Sequence, residues 1–235
     1  MVHSVEKDIM VGMIGVLNLA SEEPILSEEQ YNMRLKELKE FEEETNFMLV
    51  NSPNCPIDLQ SVIEVSNETT QDFKECDNIE DIVEFASQKD MLVYVRVDGA
   101  NLSITYTDGI IAKISIDNLL MDIKKICNIP YRIDKSGTYI VQGKIVVADR
   151  VNFFVHNVIK EDGVSLKEDL QEAKDLMFDI VPNWLATNFA PKNLQGVIDY
   201  IFDYAKDEEL PNNGIVFKFN DVKDGRCIMY KAQNE

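Results

Sequence analysis

In SITYTDGIIAKI, residues 103–114, two runs rich in β-branched and apolar residues flank an Asp-Gly pair, and no other stretch constrains the chain as tightly. An Asp-Gly pair supplies the positive φ angles of a two-residue hairpin turn, so the runs on either side must pair as antiparallel neighbours. Three further stretches, MLVYVRVDG (91–99), GTYIVQGKIVVAD (137–149) and NGIVFKFND (213–221), carry the same β-branched and aromatic content between Gly, Asp and Asn boundaries and predict strands.

Helical periodicity frames these strands. In SEEQYNMRLKELKEFEEET (27–45), Tyr31, Leu35, Leu38 and Phe41 recur every three or four residues behind a capping Ser27, which predicts an amphipathic helix. Shorter helical patterns are expected at Ile79–Ala86, Leu119–Cys127, Leu166–Ile180 and Leu194–Lys206. NSPNCP (51–56) has the Pro and Asn content of an extended connector, so residues 1–58 read as a helical arm and 59–235 as an α+β domain. With 45% apolar residues among 235, the chain can bury a sizeable core.

Charge excludes one function class. The 42 acidic and 23 basic residues give −19, which repels a nucleic-acid backbone and removes the counterion-release contribution to affinity, so direct DNA binding is not expected. The same acidity suits a protein partner with a basic surface. Cys55, Cys76, Cys127 and Cys227 form no C-x-x-C pair and read as reduced thiols, not as a zinc site. His3 and His156 have no Cys or Asp cluster at ligand spacing, and Trp184 lies in an apolar run that predicts a core-edge position. The apolar stretch Ile9–Ala20 is short, Gly-interrupted and not preceded by a basic region, so neither a membrane span nor a secretory signal is expected and the cytoplasm is the expected location.

The segment MLVYVRVDGANLSITYTDG resembles the first motif of bacterial NAD-dependent DNA ligases, a strand with E-x-K-x-D-G followed by a strand, a turn ending in Gly and another strand. Further stretches fall in the same order. EEPILSEEQYNMRLKELKEFEEE is similar to that family's helical arm, CNIPYRI to its I-x-x-I-P-x-x-L, and TYIVQGKIVVADRVNFFVHN to its V-R-G-E-V strand with the following F-x-x-L-N. LPNNGIVFKFND and CIMYKA are similar to its last two lysine-bearing strands. The resemblance implies a degenerate adenylation domain of the nucleotidyltransferase, ATP-grasp-like ligase fold, with mixed and antiparallel sheets preceded by a small arm that would bind nicotinamide mononucleotide.

What the resemblance implies for chemistry turns on four substitutions. The family's motif lysine attacks the adenylyl phosphorus, and here Arg96 stands in its place. A guanidinium stays protonated and is a poor nucleophile, although it pairs well with phosphate. Tyr94 replaces the acid two positions earlier, Lys144 replaces the carboxylate of V-R-G-E, and Gln142 replaces its arginine. Asp98, Gly99, Lys218 and Lys231 match the motif residues that would contact nucleotide, whereas Asn213 replaces a motif aspartate. On the arm Tyr31 matches the mononucleotide-binding pattern and Glu28 nearly does, while Asn18, Leu19 and Asn32 depart from it. The glycine-rich loop expected after the third strand is replaced by GIIAKISIDNLLMD, and the later DNA-contacting domains of the family are not expected with this domain. The expectation is a pseudoenzyme with no resident metal or certain cofactor, acting on a basic protein partner such as a ligase subunit or another DNA-processing protein. Two alternatives stand beside it: a nucleotidyltransferase whose chemistry has moved to Lys144 or Lys113, with Mg²⁺ required only in that case, and a sensor that holds NAD or AMP.

Overall fold

A computed structural model of the protein describes residues 4–65, 74–86, 89–117, 122–187 and 189–231. The arm opens with two helices, α1 (Ser4–Glu22) and α2 (Glu28–Thr45). The second is closed at its start by a capping box, in which the Ser27 hydroxyl accepts from the Gln30 backbone and the Gln30 side chain from the Ser27 backbone. At its end Asn46 takes the left-handed conformation, φ 52°. Met10, Ile14 and Leu17 of α1 pack with Leu38 of α2 and with Phe47 and Leu49 beyond it into a small core of their own. The buried Lys7 ammonium donates to Met177 O at 2.8 Å and to Asp179 Oδ1 at 2.7 Å, which ties α1 to the rest of the molecule.

Beyond a short helix α3 (Leu59–Val62), the chain forms β1 (Ile63–Val65), β2 (Lys74–Cys76), α4 (Ile79–Ala86), β3 (Met91–Val97), β4 (Ala100–Thr107) and β5 (Ile110–Ile116). Next come β6 (Thr138–Val147), β7 (Val151–Lys160), α5 (Leu166–Asp175), β8 (Asp179–Ile180) and β9 (Asn183–Ala186), then α6 (Pro191–Asp207), β10 (Asn212–Phe219) and β11 (Cys227–Tyr230). The strands make two mixed sheets, ordered β1-β5-β4-β6-β7-β8 and β2-β11-β10-β3-β9. The Asp-Gly hairpin forms as the sequence requires, with Thr107 opposite Ile110 and φ of 48° at Asp108 and 80° at Gly109. Helices α4 and α6 cover one face of the second sheet through Ile82, Ala86, Leu194, Ile198, Ile201 and Ala205, all buried. Leu166, Leu170 and Ala173 of α5 are buried where that helix packs on β7.

Two expected helices are shorter than the sequence pattern suggests. The pattern at Leu119–Cys127 yields only a 3₁₀ turn, Ile123–Lys125, among described residues, while 118–121 lie outside them. The helix expected over Leu166–Ile180 stops at Asp175, because Met177 adopts φ 74° and Asp179–Ile180 pairs in parallel with Phe154 and Val155. A left-handed residue ends a helix whatever the apolar periodicity beyond it. No described helix is long and apolar enough to cross a membrane.

Candidate functional site

Strand alternation selects what faces the space between the two sheets. On β3, Tyr94 lies against His156 of the other sheet, so Leu92, Tyr94 and Arg96 share the inward face while Met91, Val93 and Val95 turn toward the helices. The antiparallel register sets Val216 opposite Tyr94 and Lys218 opposite Leu92, and then Cys227 opposite Lys218 and Met229 opposite Val216. Those residues therefore share the same face. From the first sheet, Gln142 and Lys144 project together from β6. A bulge in β7 opposite Gln142 and Gly143 turns both His156 and Asn157 toward them.

The groups so assembled contact one another. Lys218 Nζ donates to Asn157 Oδ1 at 2.9 Å, and Asn157 Nδ2 donates to Gln142 Oε1 at 2.8 Å, a chain that crosses from one sheet to the other. Lys144 Nζ donates to the Gly99 carbonyl at 3.2 Å. Arg96 Nη1 sits 3.2 Å from Met229 Sδ. The Tyr94 and His156 rings stack with centroids 6.1 Å apart and 6° between planes. Glycine is required at two positions: a Cβ on Gly99 would come within 2.1 Å of Ile145 O, and one on Gly143 within 2.1 Å of Phe154 O. Close backbone approach there lets Arg96 and Lys144 converge.

Burial and neighbouring charge shift the groups on these facing surfaces. Burial, and then the Arg96 charge, lowers the Lys144 pKa below the usual ammonium value, against the opposing pull of Asp117 and Asp98. Burial likewise lowers the pKa of Lys218, which is only 8% exposed and makes no ion pair among the described residues. His156 is pushed down to about 3 by burial and then by the positive charges of Lys218 and Lys144, and its Nδ1 is enclosed with no hydrogen-bond partner among the described residues. Burial raises the Tyr94 phenol well above its ordinary pKa, so it stays protonated. In a chain of charge −19, Arg96, Lys144 and Lys218 thus stand on the facing surfaces of the two sheets, with Asp98 and Asp117 near Lys144. No described group of three or more His, Cys, Asp or Glu side chains is placed to hold a metal ion.

The structure thus brings together Tyr94, Arg96, Gln142, Lys144, Gly99 and Lys218. Asp98 is exposed in the β3–β4 turn, its backbone N–H bound to Pro211 O at 2.8 Å. Lys231 follows the end of β11 beside the edge strand β2 and pairs with Glu75 of that strand at 2.5 Å. Glu28 is exposed on α2 and Tyr31 packs against the arm's own core. Lys113 is on β5, paired with Glu64 at 2.7 Å, outside the assembled group. Sequence reasoning read His156 as an ordinary histidine and did not single out Asn157. The signal for Asn157 was its place at the end of the F-x-x-L-N stretch, but the bulge that turns His156 inward leaves no mark in composition.

His156 provides a pH-dependent test. A histidine depressed from its ordinary value to about 3 favours the neutral form in the folded state, so the unfolded chain binds the extra proton between those two pH values and stability falls as pH drops through that interval. The wild type is expected to lose up to about 1.4 kcal/mol per pH unit more than His156→Gln there. Urea unfolding of both proteins from pH 7 to 4 checks this, and parallel profiles would show that the ring titrates normally.

No family model matches the chain. It is 21% identical to a DNA ligase of Lachnoclostridium phytofermentans over 258 aligned residues, covering 87% of this chain and 39% of that protein. It is 22% identical to a DNA ligase of Mycoplasma genitalium, covering 76% of this chain and 29% of that one. Among solved structures, an archaeal ATP-dependent RNA ligase aligns with 69% of the chain and 48% of its own length at 9% identity and TM-score 0.47. A putative ATP-dependent DNA ligase from Aquifex aeolicus aligns with 69% of the chain and 49% of its own length at 16% identity and TM-score 0.46. The chain spans well under half the length of the two DNA ligases, and over most of its own length it is their distant, ligase-like relative in sequence.

Proposed function

We propose that this chain is a degenerate homologue of the NAD-dependent DNA ligase adenylation domain, and that it acts as a cytoplasmic accessory or inhibitory protein by binding instead of by nucleotidyl transfer. The observation that carries the reading is Arg96 on the inward face of β3, at the position of the resemblance's nucleophilic lysine and beside Lys144, whose pKa it lowers. The guanidinium cannot shed a proton to attack phosphorus. Arg96, Lys144 and Lys218, with Gln142 and Asn157, fit the phosphates of a nucleotide such as AMP or NAD. The positions where the family carries acids hold Tyr94 and Lys144, which do not fit Mg²⁺. The acidic surface suits a basic protein partner, a ligase subunit or another DNA-processing protein, and disfavours direct DNA contact.

One observation favours a second reading. Lys144 is partly desolvated beside a fixed cation, the two conditions that make a lysine amine nucleophilic. In that reading its neutral amine attacks the α-phosphorus of NAD, an N–P bond forms as the P–O bond to nicotinamide mononucleotide breaks, and the amine proton leaves to solvent. Incubation with adenine-labelled NAD, and separately ATP, plus magnesium, followed by denaturing electrophoresis, separates the two. No covalent label is expected beside an active ligase control. A labelled band lost in Lys144→Met would replace the binding reading with the enzymatic one.

A further inference from the structure

Trp184 is the chain's single tryptophan, and the fold sets it on an edge strand. β9 has β3 on one side and, among the described residues, no strand on the other. Its register puts Trp184 opposite Val93, on the face of the sheet that α6 covers. There the indole meets Tyr200 edge to face with 5.4 Å between centroids, and Tyr204, one turn further along α6, in the same manner at 5.7 Å. Trp184 and Tyr204 are half-buried and Tyr200 is 54% exposed. Clustered Trp and Tyr rings with one side in water are the residues that anchor partners at interfaces, and an open sheet edge beside them offers backbone groups to an extended chain.

The charges around these rings have one sign. Asp203 and Asp207 follow Tyr200 by three and seven residues, and Asp207 and Glu208 follow Tyr204 by three and four, so all three exposed carboxylates lie on the tyrosine flank of the helix or at its end. The two lysines of α6 lie elsewhere: Lys206, two residues from Tyr204, projects from nearly the opposite side, and Lys192 is eight residues before Tyr200, about 12 Å along the axis. Residues 180–190, which contain β9, carry no charge, and α4, the other helix on this face, contributes Glu80, Asp81 and Glu84 and no cation. Arg96 of β3 is on the opposite face of the sheet, and Lys89 ahead of β3 is paired with Asp224 at 3.4 Å. Exposed aromatic faces with carboxylates beside them suit a guanidinium, which stacks on the rings and pairs with the acids. A second copy would bring the same carboxylates and no cation in the corresponding strand. We propose that β9 and the Trp184, Tyr200 and Tyr204 rings receive an extended, arginine-bearing segment of a partner protein, which adds alongside β9 and lays a guanidinium on the rings near Asp203 and Asp207. Alternation along an added strand brings every second side chain to the α6 face, so the segment carries Arg at alternate positions. This rests on the binding function proposed above and gives it a place on the surface.

With one tryptophan in the chain, indole fluorescence reports on this site alone. The test titrates the full chain with a 12-residue synthetic peptide of alternating Arg and Thr, and with the same peptide carrying citrulline, the uncharged analogue, at every Arg. The Arg peptide is expected to change Trp184 emission saturably and the citrulline peptide to leave it unchanged. Tyr200→Ala and the pair Asp203→Asn/Asp207→Asn are each expected to weaken that response about tenfold. All three substituted side chains are exposed, and circular dichroism of each variant checks that the fold is kept. General attraction of a basic peptide to a −19 surface is read separately, by anisotropy of a labelled peptide. Binding that leaves Trp184 emission unchanged, an equal response from wild type and both variants, an equal response to both peptides, or a wild-type dimer in sedimentation that Tyr200→Ala lacks would each overturn the proposal. Cross-linking in cells keeps this outcome separate from the broader reading: a partner captured equally by wild type and Tyr200→Ala removes only the β9 site, whereas no partner with either removes the binding function as well.

Discussion

Replacement of Lys160 by methionine is expected to lower the stability of the fold by about 3–5 kcal/mol, the usual cost of leaving a buried charge without its partner. Lys160 ends β7 with its Nζ 2.6 Å from Glu172 Oε2 and 3.0 Å from Asp169 Oδ1, both on α5. The Lys160 side chain is 12% exposed and that of Asp169 only 3%, so the pair is screened little by water. Glu172 keeps a second cation, Lys135 at 2.7 Å, when Lys160 is lost, whereas Asp169 keeps none among the described residues. Burial raises the Asp169 carboxyl above the ordinary carboxylate range, opposed by Lys160. In the variant that opposition is gone and the folded-state pKa rises further. The folded variant then takes up a proton before the unfolded chain does, so its deficit narrows below about pH 5. Urea unfolding at pH 7 and pH 4.5 measures both effects. Adding Asp169→Leu to the variant should recover most of the loss, since removing both charges differs from stranding one. A deficit under about 1 kcal/mol would mean that this cluster behaves as an exposed pair.

The sequence made the strands legible where alternation and turn chemistry agreed. The β4–β5 hairpin, β3 and β10 lie where Asp-Gly, Asn-Gly and β-branched runs placed them, and α2 and α4 follow their periodicity. Two features were hidden for a shared reason. The end of α5 depends on Met177 at φ 74° and on a two-residue strand that exists only because β7 lies beside it. The inward turn of His156 depends on a bulge set by pairing with β6. Both are decided by partners distant in the chain, which local pattern does not record. The site follows the same logic. Arg96, Lys144 and Lys218 were picked from motif position, but that they converge on one face follows from register across two sheets. Lys231, selected on the same basis, is taken up at the sheet edge by Glu75.

Lys218 is also a buried lysine, and the opposite stability result is expected for it. Its ammonium has a neutral partner, Asn157 Oδ1, in place of a carboxylate, and Asn157 in turn is bonded to Gln142 of β6, the strand that carries Lys144. Lys218→Met removes a desolvated cation and leaves only an amide oxygen short of a donor, two effects of similar size, so stability is expected to stay within about 1 kcal/mol of wild type or to rise. What it should remove is anion binding. If AMP or NAD binds at Lys218, wild type at a ligand concentration of 100 times Kd gains about 2.7 kcal/mol, roughly 5–10 °C in melting temperature for a chain of this size. The Lys218→Met protein should show almost none of that shift. A residue that costs nothing to remove from the apo fold, yet carries most of the ligand response, is held there for the ligand and not for the structure. Scanning calorimetry with and without AMP, and then NAD, reads both quantities in one experiment. A large loss of apo stability with the ligand shift intact would make Lys218 a structural tie between the sheets and remove the anion site from the proposed function.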